Sequence, residues 1–483
     1  MITHGYQQQP DNLYDQVAGH IIHLIEGGTL LAGERVPSVR RLSAQEQVSI
    51  STVLQAYRRL ENEGWIEARP QSGYYVRPVR ALPPEPEVSQ PPLEATPVKV
   101  SELMMQVVQG AQRPGMMRLS STEPDPSLLP LQQLSRCLAI VNREQTGETL
   151  SYGIPAGYKP LKVQIARRAL EAGCVLTPDD IVITSGCQEA LQLSLRAVAN
   201  PGDTILLESP TYYGVLQIIE SLGLCALEIP THPRNGLSLE ALEYALEQHP
   251  VKACLLSPNF NNPLGSLMTE ANKERLVTLL AEREIPLIED DVYGDLSFEG
   301  PRPKAAKAYD QNGLVLLCAS FSKTIAPGYR VGWVVPGRFR QRVEYLKTVT
   351  TFATSMPPQM AVAEFLAKGS YDHHLRKIRR FYSQHVQQMA QMVSSYFPPG
   401  TKIARPAGGQ FLWIELPRGA DSLKLFQQAL QHGICIVPGP IFSATGKYRN
   451  CLRLSCTQPP SKRLEMALQQ LGLLAHACVT AVD

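Results

Sequence analysis

The sequence predicts a multidomain protein in which a small helical N-terminal unit precedes a large α/β domain built on a mostly parallel sheet. Three observations predict it. The chain has 483 residues, more than one hydrophobic core usually organises. Its character changes at Pro78, where Pro78, Pro83, Pro84, Pro86, Pro91, Pro92, Pro97 and Pro114 crowd one stretch at a density that favours extended, semi-rigid chain. From about residue 115, short apolar runs alternate with helical stretches, the pattern of buried strands covered by helices on both faces. The expected boundaries are 1–78 for the N-terminal unit, 79–114 for an interdomain linker and 115–483 for the large domain.

In the N-terminal unit, Leu13, Val17, Ile21, Ile22, Leu24 and Ile25 fit one helix ending at Gly27 and Gly28. After a turn at residues 33–37, Ser38 caps a short helix carrying Val39, Arg40, Arg41 and Leu42. Ser49 opens another, expected to run to Glu63, that carries Val53, Leu54, Tyr57 and Leu60. Two short helices joined around Gln47 and Val48 make a helix-turn-helix, whose second helix would offer Ser49, Ser51, Thr52 and Gln55 to base edges. Residues 65–68 and 73–76 then read as two strands of a wing that would place Arg69 and Gly73 near DNA backbone or minor groove. Residues 1–79 hold seven Arg and eight Asp or Glu, so phosphate affinity rests on Arg40, Arg41, Arg58 and Arg69 sharing a face, and on more than one copy of the unit. The alternative use of such a unit is protein interaction.

Within the large domain, apolar runs at 181–184, 204–207, 254–256, 286–288 and 315–318 are the expected strands, and residues 98–109 just before it have helical spacing. Lys323 stands between Ser320 and Ser322, with Arg330 following: two hydroxyls and a guanidinium, the groups a phosphate needs, around an amine of the kind that attacks aldehydes. In TSGCQEAL, residues 184–191, Ser185, Gly186, Cys187 and Gln188 lie between a strand and a helix, where backbone amides can cradle a phosphate; an ordinary strand–helix turn is the alternative. The net charge of +2 gives no global hint of nucleic acid or membrane. Ten cysteines without CxxC or metal-ligand spacing, a polar N-terminus and the lack of any run of about 18 apolar residues point to a cytoplasmic chain with no metal site and no membrane span.

Two resemblances sharpen these expectations. Residues 37–76, PSVRRLSAQEQVSISTVLQAYRRLENEGWIEARPQSGYYV, resemble the GntR-type winged helix-turn-helix. The chain departs from that family at Gln47 and Gln71, where glycine is usual, and at Ile50, where arginine is common. SFSKTIAPGYRVGW, residues 320–333, resembles the lysine segment of fold type I pyridoxal phosphate (PLP) enzymes, the aspartate aminotransferase superfamily. That resemblance implies an aminotransferase-like domain with a smaller C-terminal α/β lobe from about residue 350, and PLP joined to Lys323 as a Schiff base.

By the same resemblance Tyr212 in ESPTYYG stacks on the pyridine, with the adjacent Tyr213 as the alternative, and Asn262 in SPNFNNPLG bonds the ring hydroxyl. In IEDDVYGD, Asp290 pairs with the pyridine nitrogen and Tyr293 with the ring oxygen, while Glu289 and Asp291 compete for the first role. Arg453 in CLRLSC grips a substrate α-carboxylate, and Tyr152 in SYGIPAGYKPL reaches the phosphate of a neighbouring subunit, which implies a homodimer. Lys162 stands where arginine is common. Together the two halves resemble the MocR subgroup of regulators. This implies a transcriptional regulator that binds promoter DNA and senses PLP or an amine or amino acid effector. The alternatives are a PLP-dependent aminotransferase with a secondary DNA-binding module, and a PLP carrier without specific DNA binding.

Overall fold

The computed structural model describes residues 13–62, 64–69, 72–77 and 82–480. The expected helix end at Glu63, the wing position Gln71 and the boundary at Pro78 lie outside the described residues. The chain divides into two compact units, Met1–Leu82 and Pro83–Asp483.

In the first unit α1 (Leu13–Glu26), α2 (Val39–Gln45) and α3 (Ile50–Asn62) are followed by the antiparallel pair β1 (Ile66–Arg69) and β2 (Gly73–Val76). Ser38 Oγ accepts from Arg41 N at 3.3 Å and Ser49 Oγ from Thr52 N at 3.1 Å, so both helices start on a hydroxyl cap. Val17, Ile21, Leu42, Val53, Tyr57 and Leu60 close a core with Ile66 and Val76 of the wing. The Tyr57 hydroxyl donates to Pro37 O at 2.5 Å, which ties the turn before α2 to α3. Gln47 adopts φ 52°, the left-handed conformation that explains why glycine is usual there.

The second unit is organised by a sheet in which Cys225–His232, Thr204–Ser209, Val251–Leu256, Leu287–Asp290 and Val315–Ser320 run parallel in that spatial order. Val331–Val335 and Val182–Ser185 add antiparallel pairings on one edge, and Thr96–Pro97 adds one on the other. The strand that comes first in chain order among the parallel five, Thr204–Ser209, lies between the second and the third. The strand order therefore reverses beside it, and the carboxyl ends there form the crevice where such sheets bind ligands. A smaller antiparallel sheet of Lys402–Ile403, Phe411–Glu415, Cys451–Ser455 and Val437–Pro438 forms the C-terminal lobe. Met117–Arg118 pairs in parallel with Ile434–Cys435, so the chain entering the large domain is tied to that lobe.

The expected linker is, from Pro83 onward, part of the second unit. Pro84 O accepts from Ile403 N at 3.0 Å, Ser89 Oγ donates to Ser209 O at 2.5 Å, and Thr96–Pro97 is an edge strand. Prolines suit this course because an edge leaves their missing N–H unneeded. The helix expected over 98–109 spans Ser101–Gln112, and Val98 and Val100 are instead buried in the segment before it. Among the described residues no helix is long and apolar enough to cross a membrane.

Candidate active site

A cavity opens at the carboxyl ends of the parallel strands, lined by Cys187, Gln188, Tyr212, Asn262, Asp290, Tyr293, Ser320, Ser322, Lys323 and Arg330, with Leu191, Ser257 and Val292. Each polar residue reaches it by its position at an element end. Asp290 and Ser320 terminate adjacent strands, and Cys187 and Gln188 begin the helix Cys187–Val198. Lys323 closes a short turn after Ser320.

Lys323 Nζ donates to Thr122 Oγ1 at 2.9 Å and Thr122 O at 3.1 Å, and lies 5.7 Å from the Tyr293 ring centroid. Burial, then the nearby Arg453 guanidinium, push its pKa down to about 8, against the opposing pull of Asp290. Asp290 is buried, and its Oδ1 accepts only weakly, from Val292 N at 3.2 Å and Cys187 Sγ at 3.5 Å. Desolvation pushes its carboxyl up to about 6. Its two neighbours are committed elsewhere. Glu289 accepts from Ala306 N at 2.7 Å and Lys307 N at 2.9 Å; Asp291 pairs with Arg302 and accepts from Asn259 Nδ2 at 2.9 Å. Of three consecutive carboxylates, only Asp290 lines the cavity.

Arg330 lines the same cavity. Its Nη2 donates to Ser185 O at 3.1 Å and its Nη1 to Ser322 Oγ at 3.4 Å. Gly186, at φ 78°, passes beneath this guanidinium: a Cβ there would stand 2.7 Å from Arg330 Cζ. Gly332 packs on Gly186 in turn, and its Cβ would stand 2.5 Å from the Gly186 carbonyl carbon. The absence of both side chains keeps the turn open against the arginine. Ser185 itself does not line the cavity: its N–H donates to Glu189 Oε2 at 2.5 Å and its carbonyl is held by Arg330.

Of the adjacent tyrosines, Tyr212 lines the cavity beside Asp290, and its ring lies over Gly214. Tyr213 packs on Tyr212 with ring centroids 4.6 Å apart, lines an adjoining cavity that also reaches Lys323 and Arg330, and has its ring centroid 5.9 Å from Arg453 Cζ. Asn262, which precedes a cis proline, accepts from Arg453 Nη1 at 3.4 Å. Arg453 is wholly buried behind Asn262, donates Nη2 to Ser120 O, and leaves Nε without a partner. No carboxylate pairs with it among the described residues, so a buried cation sits beside the cavity with spare hydrogen-bonding capacity. Tyr152 is not brought to the cavity; it is 94% exposed and meets Phe352 edge-on at 5.8 Å. Thr122 and Gln410, which donates Nε2 to the same Thr122 carbonyl, were not anticipated. No local motif marks them, because their partners are hundreds of residues away.

In the winged unit, Ser51, Gln55 and Arg58 share one exposed face of α3, with Leu54 beside them. Ser49 Oγ is spent on its cap and on the Ser51 and Thr52 hydroxyls, at 2.7 and 2.8 Å. Arg40 and Arg41 are exposed on α2. Arg69 pairs with Glu67 at 2.9 Å and lies 4.3 Å over the Tyr75 ring. Gly73, at φ 106°, makes room for the Arg35 guanidinium.

An amine, an uncommitted buried carboxylate and a glycine-lined arginine cradle in one cavity, with a spare guanidinium beside it, fit PLP, and the N-terminal unit of the same chain is a winged helix of the DNA-binding kind. Residues 115–471 match the family model "Aminotransferase class I and II", and residues 13–76 match "Bacterial regulatory proteins, gntR family". The chain belongs to the aminotransferase class I and II family, in the arrangement in which a GntR-type DNA-binding unit comes first. It is 42% identical over 459 residues to the uncharacterized HTH-type transcriptional regulator YjiR of Escherichia coli, covering 95% of this chain and 98% of that one. It is 30% identical over 386 residues to aromatic-amino-acid aminotransferase 1 of Thermococcus litoralis, covering 78% and 92%. Among solved structures, the α-aminoadipate aminotransferase LysN of Thermus thermophilus, complexed with N-(5'-phosphopyridoxyl)-L-leucine, superposes with a TM-score of 0.72. The two are 29% identical, and the match covers 80% of this chain and 100% of that one. The cofactor of the large domain is pyridoxal 5'-phosphate, and the partner of the small unit is DNA.

Proposed function

We propose that this protein is a cytoplasmic, homodimeric transcriptional regulator whose aminotransferase-like domain holds PLP and reads an amino acid or amine effector. The observation that carries the effector reading is Arg453: a wholly buried guanidinium with an unpartnered Nε and no carboxylate partner among the described residues, beside Lys323, answers to a ligand that brings its own carboxylate.

PLP supplies, when bound, a reactive aldehyde and a ring that accepts an electron pair. Lys323 provides the attacking amine, and its lowered pKa raises the share of neutral nucleophile. Asp290 would hold a proton for the ring nitrogen, Tyr212 would cover the ring, and Asn262 and Tyr293 would bond the ring oxygen; all four line the cavity. Ser320, Ser322, Arg330 and the amides of residues 186–188, at the start of the helix Cys187–Val198, would hold the phosphate. The exposure of Leu150, Tyr152 and Ile154 supports a second copy covering this face, in which Tyr152 would reach the partner's phosphate. In the winged unit Ser51, Gln55 and Arg58, with Arg40 and Arg41, face DNA. A second reading, true transamination, is favoured by the same observation, since amine, carboxylate and guanidinium are all in place.

The test is footprinting of the purified chain on DNA upstream of its own coding region, with and without PLP, beside the Lys323→Ala variant. The expected result is a footprint that changes with PLP in the wild type only. An unchanging footprint together with robust steady-state transamination would move the assignment to the enzyme.

A further inference from the structure

Glu189 stands at the third position of the helix Cys187–Val198, in its first turn and directly after the residues whose amides are assigned to the phosphate. It is held by three donors: Ser185 N–H and the Thr351 hydroxyl, each at 2.5 Å, and Lys347 Nζ at 3.1 and 3.2 Å from its two oxygens. Lys347 reaches in from the helix Arg340–Thr350 and is wholly buried. Its remaining partner is Thr351 Oγ1 at 3.0 Å.

Two consequences follow from this geometry. Ser185 is clamped from both sides, its N–H by Glu189 and its carbonyl by Arg330, so the turn that follows is fixed relative to the arginine. A carboxylate this close to the turn also repels a phosphate dianion, because like charges a few ångströms apart disfavour each other. The ammonium of Lys347 cancels it.

We propose that Lys347 is a positioning residue for the cofactor's phosphate, which it never touches: by neutralising Glu189 it lets the turn at residues 186–188 be both clamped and receptive to an anion. This rests on the reading that seats the phosphate at that turn. A lysine serving only to fill the core would support the fold alone, and would affect phosphorylated and unphosphorylated ligands alike.

The full-length chain is titrated separately with PLP and with pyridoxal, which lacks the phosphate, and binding is followed by absorbance. Lys347→Met is expected to weaken PLP binding roughly ten-fold, the effect of one uncompensated charge at short range, while leaving pyridoxal binding unchanged. Removing both charges, Lys347→Met with Glu189→Gln, is expected to restore PLP binding. Equal losses for the two ligands, or a double variant no better than Lys347→Met, overturn the proposal. Should Lys347→Met fail to fold, Glu189→Gln alone decides: it is expected to hold or raise the preference for PLP over pyridoxal, and a fall in that preference overturns the proposal. A wild type that binds pyridoxal as well as PLP refutes the phosphate placement itself, a result distinct from failure of the lysine's role.

Discussion

Gly186→Ala is expected to damage the cofactor site far more than the fold. Gly186 has φ 78° and ψ 175°, a region of backbone space that is essentially reserved for glycine, so an alanine there costs roughly 1–3 kcal/mol in strain. The entropy of unfolding is about 2.1 cal/mol/K per residue, so for a unit the size of Pro83–Asp483 this lowers the melting temperature by roughly 1–4 °C. The new methyl would stand 2.7 Å from Arg330 Cζ, and the guanidinium must leave. Its bonds to Ser185 O, 3.1 Å, and Ser322 Oγ, 3.4 Å, go with it. If Arg330 is the main cation on the phosphate, its displacement lowers PLP affinity about ten-fold or more, since charge-assisted bonds contribute about 1.5–3 kcal/mol. Absorbance titration with PLP reads the affinity, and a thermal melt of the same sample reads the strain. Because the methyl acts through the arginine, Gly186→Ala is expected to add little to Arg330→Ala. Affinity near that of the wild type in Gly186→Ala, or losses that simply add in the double variant, would refute the cradle.

Three further outcomes are expected. Lys323 is pushed down to about 8 and reacts as the neutral amine, so the rate of PLP capture should rise with pH, level off above about 8, and fall about ten-fold per pH unit well below it. A stopped-flow profile flat between pH 6 and 8 would contradict the assignment. Arg58→Ala, on the exposed face of α3, should weaken DNA binding evenly across sequences and lower the salt slope by about 1 in fluorescence anisotropy, whereas Gln55→Ala should alter sequence preference. Tyr57→Phe should cost about 1 kcal/mol in the stability of the winged unit, read by urea melts, because the Pro37 carbonyl loses its donor.

The parts of the site that were legible in the sequence are those whose chemistry is local. Ser320, Ser322, Lys323 and Arg330 fall on one strand end and the turns after it, so their shared cavity could be read from one string. Asp290 was legible only as one of three carboxylates. Its selection depends on Glu289 meeting Ala306 and Lys307, and on Asp291 meeting Arg302 and Asn259, none of which local spacing encodes. Thr122, Gln410 and Lys347 lay beyond reach for the same reason: Lys347 meets Glu189 across 158 positions, and Thr122 meets Lys323 across 201.

The proline-rich stretch shows how a composition signal can be right in its physics and wrong in its placement. Proline density does report a backbone with few donors, and such a backbone fits a sheet edge as well as it fits a free tether. Val98 and Val100 alternate with Lys99, a period of two that speaks for an extended strand, and both valines are buried beside the edge strand Thr96–Pro97. The helical spacing that also includes them puts the start of the next helix three residues before Ser101. The true start at Ser101 is fixed by Glu220, whose carboxylate accepts from Val100 N at 2.9 Å, Ser101 N at 3.0 Å and Ser101 Oγ at 2.8 Å. That cap comes from a helix 119 positions away, so the sequence window that shows the alternation contains nothing that could stop it at the right residue.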